Sequence, residues 1–427
     1  MSVPNFQLVQ IEKPVYGGAF LARVEGKAVF VPLTLPGEEA RIRMVEEKRG
    51  YALSEAEEIV TASPARIAPG CPYFGACGGC HYQHTDYESQ LGFKKAILRE
   101  TLERGGVHAL PEIAVSAADP WGYRNRIRLA FDAAGEPGYR GRRSHAVVPV
   151  NECPIAAPLL LKAATAFAAM LRESGPALRP TEIALFCNAD ESALLATVFV
   201  PAPGKFRFDE VAGAFKERVP GLLGLEFVVE GRKGEQPRTL ARWGATSLTY
   251  RAAGFDYRVD HGSFFQVNRW LVDSLVERVT AGRSGKLAWD LFAGVGPFAR
   301  QLTANFEHLI AVESAPTAIE GLKENLKNTH SEAVKAEALA FLRRHSKSGI
   351  PDLIVVDPPR VGLGPETTAQ LARIGAPEIV YVSCDPATLA RDLRALSGSG
   401  YVSESITLVD LFPQTFHLET VVTLRRA

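Results

Sequence analysis

The chain has 427 residues, 46% of them hydrophobic, with 48 basic and 48 acidic side chains. That is enough apolar material for two or three domains with their own cores, and the balanced charge requires any polyanionic partner to be gripped by local basic patches. No apolar run approaches the roughly 18 residues that span a bilayer, and MSVPNFQLVQIEKP has no basic flank before an apolar core, so the reading is a cytoplasmic protein without a signal peptide or membrane segment.

Residues 1–66 alternate short apolar runs with Gly and Pro turns, which predicts about five strands and a small β-barrel. PGCPYFGACGGCHYQH follows, and then a helix is expected over residues 86–104. Cys71-x5-Cys77-x2-Cys80 is a tight spacing with two glycines inside it, and Cys153, also followed by Pro, is the natural fourth ligand. Four thiolates hold zinc or an iron–sulfur cluster, and one Cys-x2-Cys pair with two single cysteines departs from the paired pattern of zinc ribbons. A [4Fe-4S] cluster is therefore favoured over zinc. Cys187, in IALFCNA, reads as a small buried hydrophobe.

Residues 67–255 mix strands and helices into a central α+β domain. Between 121 and 143 stand six arginines against two acids, with Tyr123 and Tyr139 interleaved. Arg124 and Arg126 are candidate RNA contacts, because guanidinium groups bind phosphate and stack on bases.

From about 256 the texture changes. Leu271, Val272, Leu275, Val276 and Val279 share one helical face. KLAWDLFAG, HLIAVES, PDLIVVDPP, EIVYVSC and ETVVTLRR then read as buried strands between helices, a parallel Rossmann-like sheet over residues 256–427. DLFAGVG ends a strand in Asp290 and opens a helix with Gly294 and Gly296; Glu313 ends the next strand and can accept both hydroxyls of a ribose. This suits S-adenosylmethionine better than a dinucleotide, since Ala299 stands where the third glycine would fall. Asp357 is held at the sheet edge by the two prolines after it. Cys384 lies where a strand tip meets a helix start, a place where backbone N–H groups favour thiolate over thiol.

HGSFFQVN, DLFAGVG, AVES, DPPR, SCDPATLARD and LFPQTFHLETV, in that order, resemble the motifs of the RNA (uracil-5-)-methyltransferases, closest to the branch acting on 23S ribosomal RNA. The resemblance spans essentially the whole chain. It implies a TRAM barrel of oligonucleotide-binding type at the N-terminus, an iron–sulfur cluster on Cys71, Cys77, Cys80 and Cys153, and a methyltransferase domain. It implies Cys384 as nucleophile, Glu419 as general base with His417 a weaker candidate, and Gln266, Phe292, Gly294, Glu313 and Asp357 at the cofactor. Phe264 falls where the family stacks on or fills space near an extruded uridine. Pro297 departs from the family pattern, because relatives often carry a polar residue there. The expected activity is methylation of carbon 5 of one uridine, in ribosomal RNA or alternatively transfer RNA, by a monomer. An amino-group methyltransferase and a non-catalytic RNA-binding or assembly protein are the rival readings.

Overall fold

The computed structural model describes residues 6–174, 178–201, 207–229, 238–345 and 349–427. Phe6–Gln10, Glu39–Glu47, Tyr51–Thr61, Lys27–Pro32, Ala19–Val24 and Lys13–Pro14 form one sheet in that spatial order. It curls until Phe6–Gln10 comes back against Ala19–Val24. The sixth strand, only two residues long, is one more than the turn spacing suggests. Phe20, Val29, Val31 and Ile42 fill the interior.

A second sheet of seven strands runs from Val147–Pro149 to Arg238–Gly244. Pro158–Ser174 and Phe208–Arg218 cover it through a core of Phe167, Phe215 and Phe227. The hairpin of Ser247–Ala252 and Phe255–Asp260 joins this unit to the next by packing Tyr250 and Tyr257 against Phe186 and Phe265.

The third sheet has eight strands: Ser331–Lys335, Phe306–Glu313, Gly285–Leu291, Leu353–Val356, Glu378–Ser383, Thr420–Arg426, Tyr401–Val409 and Ile113–Ser116. The first five are parallel. The expectation of an all-parallel sheet fails at ETVVTLRR: Thr420–Arg426 runs antiparallel to Glu378–Ser383, and Tyr401–Val409 antiparallel to it. Residues 410–419 return the chain directly from Tyr401–Val409 to Thr420–Arg426, a connection without a covering helix that only an antiparallel pair allows. Two apolar layers cover the sheet, one built on Leu98, Phe341 and Leu389, the other on Leu275, Phe298 and Leu322.

The sequence pattern puts residues 67–255 in one central domain, but part of that stretch packs on the C-terminal sheet. The helix Tyr87–Arg104, capped by Asp86, which accepts the Ser89 N–H at 2.8 Å, and the strand Ile113–Ser116 both pack on the third sheet. Residues 87–116 therefore belong physically with the C-terminal domain. No helix among the described residues is long and apolar enough to cross a membrane.

The N-terminal sheet is tied to the cysteine loop through Glu38, which is fully buried. Its carboxylate accepts Arg66 Nε at 2.5 Å, Arg66 Nη2 at 2.7 Å and the Leu35 N–H at 2.7 Å. Burial opposes the charge, but the Arg66 guanidinium and the Ser63 and Leu35 N–H groups outweigh it and hold the carboxyl below its ordinary range. Glu38→Ala leaves a half-buried guanidinium unpaired and is expected to destabilise the protein by about 3 kcal/mol at neutral pH. A depressed carboxyl stabilises above its unfolded titration range and loses that contribution in acid, so the difference between the two proteins in denaturant titrations should shrink as the pH falls below 4.

Candidate active site

Register places the central pair. Ser383 is the last residue of its strand and sits opposite Thr420, the first of the antiparallel return. The next residue in one direction is Cys384 and in the other Glu419, so two side chains 35 positions apart are forced together at the sheet edge. Leu291, Glu313 and Val356 end their strands on the same edge, which brings Phe292 and Asp357 there beside Glu313. Ligands of open α/β sheets bind at this end of the strands.

The glycine loop is built for close approach. Phe292, Gly294 and Gly296 have φ of 63, 57 and 87°. A bulky residue held in that region marks a backbone constrained by its surroundings. A Cβ at Gly294 would meet nothing within 4 Å, whereas one at Gly296 would strike Leu322 at 2.5 Å. The first glycine thus faces open space and the second faces the helix below. Glu313 bonds the loop itself: Oε2 accepts the Gly294 N–H at 2.8 Å and Oε1 the Ala315 N–H at 2.6 Å. A carboxylate oxygen has a second lone pair, so ribose hydroxyls remain chemically open to it. Asp290 lies beneath, fully buried, with Oδ2 on the Ala299 N–H at 2.9 Å. Burial raises its carboxyl well above the usual range. Pro297 is buried at the first turn of the next helix, where a missing N–H costs nothing; its carbonyl accepts the Tyr257 hydroxyl at 3.3 Å, but its side chain offers no polar contact.

Gln266 is buried and its carbonyl accepts Asn125 Nδ2 at 2.9 Å. Phe265 is in the core while Phe264 is 58% exposed, as the alternation of strand-like residues requires.

Around Cys384 the charges are dense. Burial, then the carboxyls of Glu419 and Asp357, push its thiol up to about 12, against the pull of Arg360 and the residue's own N–H. This corrects the expectation that the helix start favours thiolate. Asp385 caps that helix and takes the N–H groups of Ala387 and Thr388 at 3.0 and 2.9 Å, adding a negative charge where free donors were expected. Burial also pushes Asp357 up to about 7 and Glu419 well above the usual carboxylate range; Asp357 raises Glu419 further and Arg360 eases it. His417 accepts from Arg360 Nη2 at 3.3 Å, and burial with nearby cations pushes it down to about 3, which makes it a poor proton acceptor.

Sequence reasoning missed Tyr16. Its hydroxyl donates to Asp385 Oδ2 at 3.3 Å across 369 positions, and its ring meets Phe416 edge-on at 5.6 Å. A tyrosine beside a Gly-Gly turn carries no local signal of such a contact. Arg360, quoted only as part of a motif, is the cation of the site.

Cys71, Cys77, Cys80 and Cys153 line one cavity of about 90 Å³, with Arg124 and Tyr139 in its wall. The Gly79 N–H points at Cys77 Sγ (3.4 Å) and the Tyr139 hydroxyl at Cys153 Sγ (3.9 Å). Among the described residues no three His, Cys, Asp or Glu side chains converge tightly enough to hold a single metal ion. Tetrahedral zinc needs all its sulfurs about 2.3 Å from one point. The four cysteines line one chamber, and four thiols are the donor set that an iron–sulfur cluster takes. Arg124 and Arg126 also line an adjoining groove of about 400 Å³, where Arg126 lies 4.3 Å over the Phe186 ring.

Two family models match this chain, a TRAM domain over residues 5–56 and tRNA (Uracil-5-)-methyltransferase over residues 345–427. An uncharacterized RNA methyltransferase from Aquifex aeolicus is 33% identical, with 97% of each chain covered. The 23S rRNA (uracil(1939)-C(5))-methyltransferase RlmD of Chromohalobacter salexigens is 31% identical over 98% of this chain and 89% of its own. The crystal structure of Pyrococcus abyssi tRNA (uracil-54, C5)-methyltransferase in complex with S-adenosyl-L-homocysteine superposes with a TM-score of 0.79, at 25% identity over 97% of this chain and 99% of that one.

The raised thiol is directly measurable. Iodoacetamide labelling of Cys384 in the free protein should be slow at pH 7.5 and still accelerating above pH 9. Glu419→Gln removes a carboxyl whose charge raises the thiol, and should speed labelling several-fold at the alkaline end of the series, read from the Cys384 peptide by mass spectrometry. A slower variant would contradict the electrostatics.

Proposed function

The chain belongs to the RNA (uracil-5-)-methyltransferase family, and from that premise we propose that it methylates carbon 5 of one uridine in 23S ribosomal RNA through a covalent bond to Cys384. The observation that carries the reading is the register-enforced pairing of Cys384 with Glu419 at the edge of the sheet that holds the glycine loop.

Carbon 5 of uracil is too electron-poor to take a methyl group unaided. Cys384 gives its proton to water, helped by Arg360, and its sulfur adds to carbon 6. Carbon 5 becomes enolate-like and takes the methyl group of S-adenosylmethionine, which leaves as S-adenosylhomocysteine. Glu419 removes the remaining proton on carbon 5, the carbon 6–sulfur bond breaks, and the thiolate leaves. Covalent catalysis of this kind divides one difficult step into easier ones. Gln266, Phe292, Gly294, Glu313 and Asp357 hold the methyl donor, with Asp357 also near enough in the site to meet the uracil edge.

The base must leave its stack to reach the thiol. Exposed Phe264 is a surface on which it, or a neighbour, can stack, and Arg124 and Arg126 grip the strand from the adjoining groove. The TRAM domain extends the RNA-binding surface. Cys71, Cys77, Cys80 and Cys153 would hold a [4Fe-4S] cluster, which cross-links the loop between the first two domains; methyl transfer from a sulfonium is itself redox-neutral. The ribosomal preference rests on the Chromohalobacter relative, and the transfer-RNA substrate named for the Pyrococcus structure makes transfer RNA the alternative.

Cells lacking this protein should lose 5-methyluridine at one position of 23S ribosomal RNA, and Cys384→Ala should fail to restore it. Loss confined to transfer RNA would move the substrate, and no loss in either would overturn the reading. Because Glu419 must be ionised to act and burial lifts its carboxyl well above the usual range, the turnover rate should rise with pH beyond the ordinary carboxylate range; a rate flat from pH 5 to 8 would remove the ionised Glu419 from the mechanism.

A further inference from the structure

Residues 410–414, DLFPQ, lie just ahead of Glu419 and are held in an unusual way. All five backbone carbonyls accept hydrogen bonds from distant parts of the chain. Asn268 Nδ2 donates to Leu411 O at 3.2 Å and to Asp410 O at 3.5 Å. Lys94 Nζ donates to Phe412 O at 2.8 Å and the Tyr123 hydroxyl to Pro413 O at 3.0 Å. The N–H groups of His81 and Tyr82, which follow Cys80 directly, donate to Gln414 O at 2.8 and 3.1 Å.

The side chains are gripped as well. Asp410 receives Lys94 Nζ at 2.5 Å and the Tyr87 hydroxyl at 2.8 Å. Gln90 accepts the Gln414 N–H and donates to Gln414 Oε1, both at 3.0 Å. Lys94, Asp410, Tyr123, Gln90 and Gln414 are all buried. Gln414 has φ of 68°, a conformation that costs energy in a non-glycine residue and persists only where neighbours impose it.

Buried carbonyls need donors wherever they occur. Here, though, the donors come from three separate stretches — 81–94, 123 and 268 — and converge on a segment that ends five positions before Glu419. The grip is relayed onward. Thr415 Oγ1 donates to Phe412 O at 2.8 Å, the His417 N–H points to Thr415 Oγ1 at 3.3 Å, and Glu419 O accepts the Val409 N–H at 2.9 Å.

We propose that this carbonyl clamp sets the position of Glu419, with Tyr123 and Lys94 as positioning residues, so that proton removal from carbon 5 depends on the cysteine loop and the central domain being docked. The proposal rests on Glu419 being the base. Its signature is chemical: a misplaced base leaves addition and methyl transfer intact and stalls release, so enzyme covalently bound to RNA accumulates. A folding defect gives no such species.

The test uses Tyr123→Phe, which removes one hydroxyl from a buried ring, beside Glu419→Gln, both in the full chain with unmodified uridine RNA and S-adenosylmethionine. Tyr123→Phe should turn over 10- to 100-fold more slowly, the range expected for a group displaced by about 1 Å. Its KM for RNA should stay within twofold, and a covalent complex should appear on denaturing gels as with Glu419→Gln. The double variant Lys94→Met with Asp410→Leu replaces a buried ion pair by apolar groups, an exchange often neutral for folding, and should give the same trapped species. Either variant, folded, turning over at the wild-type rate, or slowed without trapped complex while Glu419→Gln traps it, overturns the clamp. Absence of trapped complex in Glu419→Gln overturns the base assignment instead, and the clamp's role with it.

Discussion

The antiparallel pairing of Thr420–Arg426 with Glu378–Ser383 is the contact on which the geometry of the site, and with it the proposed chemistry, depends. A parallel strand in that place would carry its first residue to the opposite end of the sheet. By running backwards, the last strand delivers Glu419 to the edge where Cys384 emerges. The strand register is enforced by burial on both faces: Ile379, Val380, Tyr381 and Val382 are buried against Val421, Val422 and Leu424. A one-residue slip would exchange the faces of every one of these side chains and would part Cys384 from Glu419.

The electrostatics of the site follow from that placement. Three acidic groups, Asp290, Asp357 and Glu419, lie in or beneath one cleft, and burial raises all three. Arg360 is the nearby cation that favours charge on both Glu419 and Cys384. The free protein thus keeps its thiol protonated. A thiol raised in this way is protected from oxidation and stray alkylation, since reactivity follows the thiolate.

How much of this is legible in the sequence depends on the range of the interaction. The strands KLAWDLFAG, HLIAVES, PDLIVVDPP and EIVYVSC stand out because buried parallel strands are continuous apolar runs. Ile113–Ser116 does not: it is four residues long and pairs with Tyr401–Val409 nearly 300 positions later. Tyr401–Val409 itself is masked by its polar start, YVSES. Motif spacing brings Cys384 and Glu419 to notice, and pairing register explains them. Tyr16, Arg360 and the donors to residues 410–414 have no local pattern at all, because a tyrosine hydroxyl or a lysine that will bond a distant carbonyl looks like any other. The thiol's protonation was misjudged for the same reason: the Asp385 side chain that consumes the helix N–H groups is visible in the sequence, but the carboxyls facing Cys384 come from other strands.

The account centres on one sulfur. Incubating the protein with 5-fluorouridine-substituted 23S ribosomal RNA and S-adenosylmethionine, then digesting and sequencing the nucleotide-linked peptide by mass spectrometry, identifies the attachment atom among the six cysteines. The account predicts a single linked peptide containing Cys384. A link through any other cysteine, or efficient methylation of natural RNA by protein whose Cys384 is replaced with Ala, would contradict it.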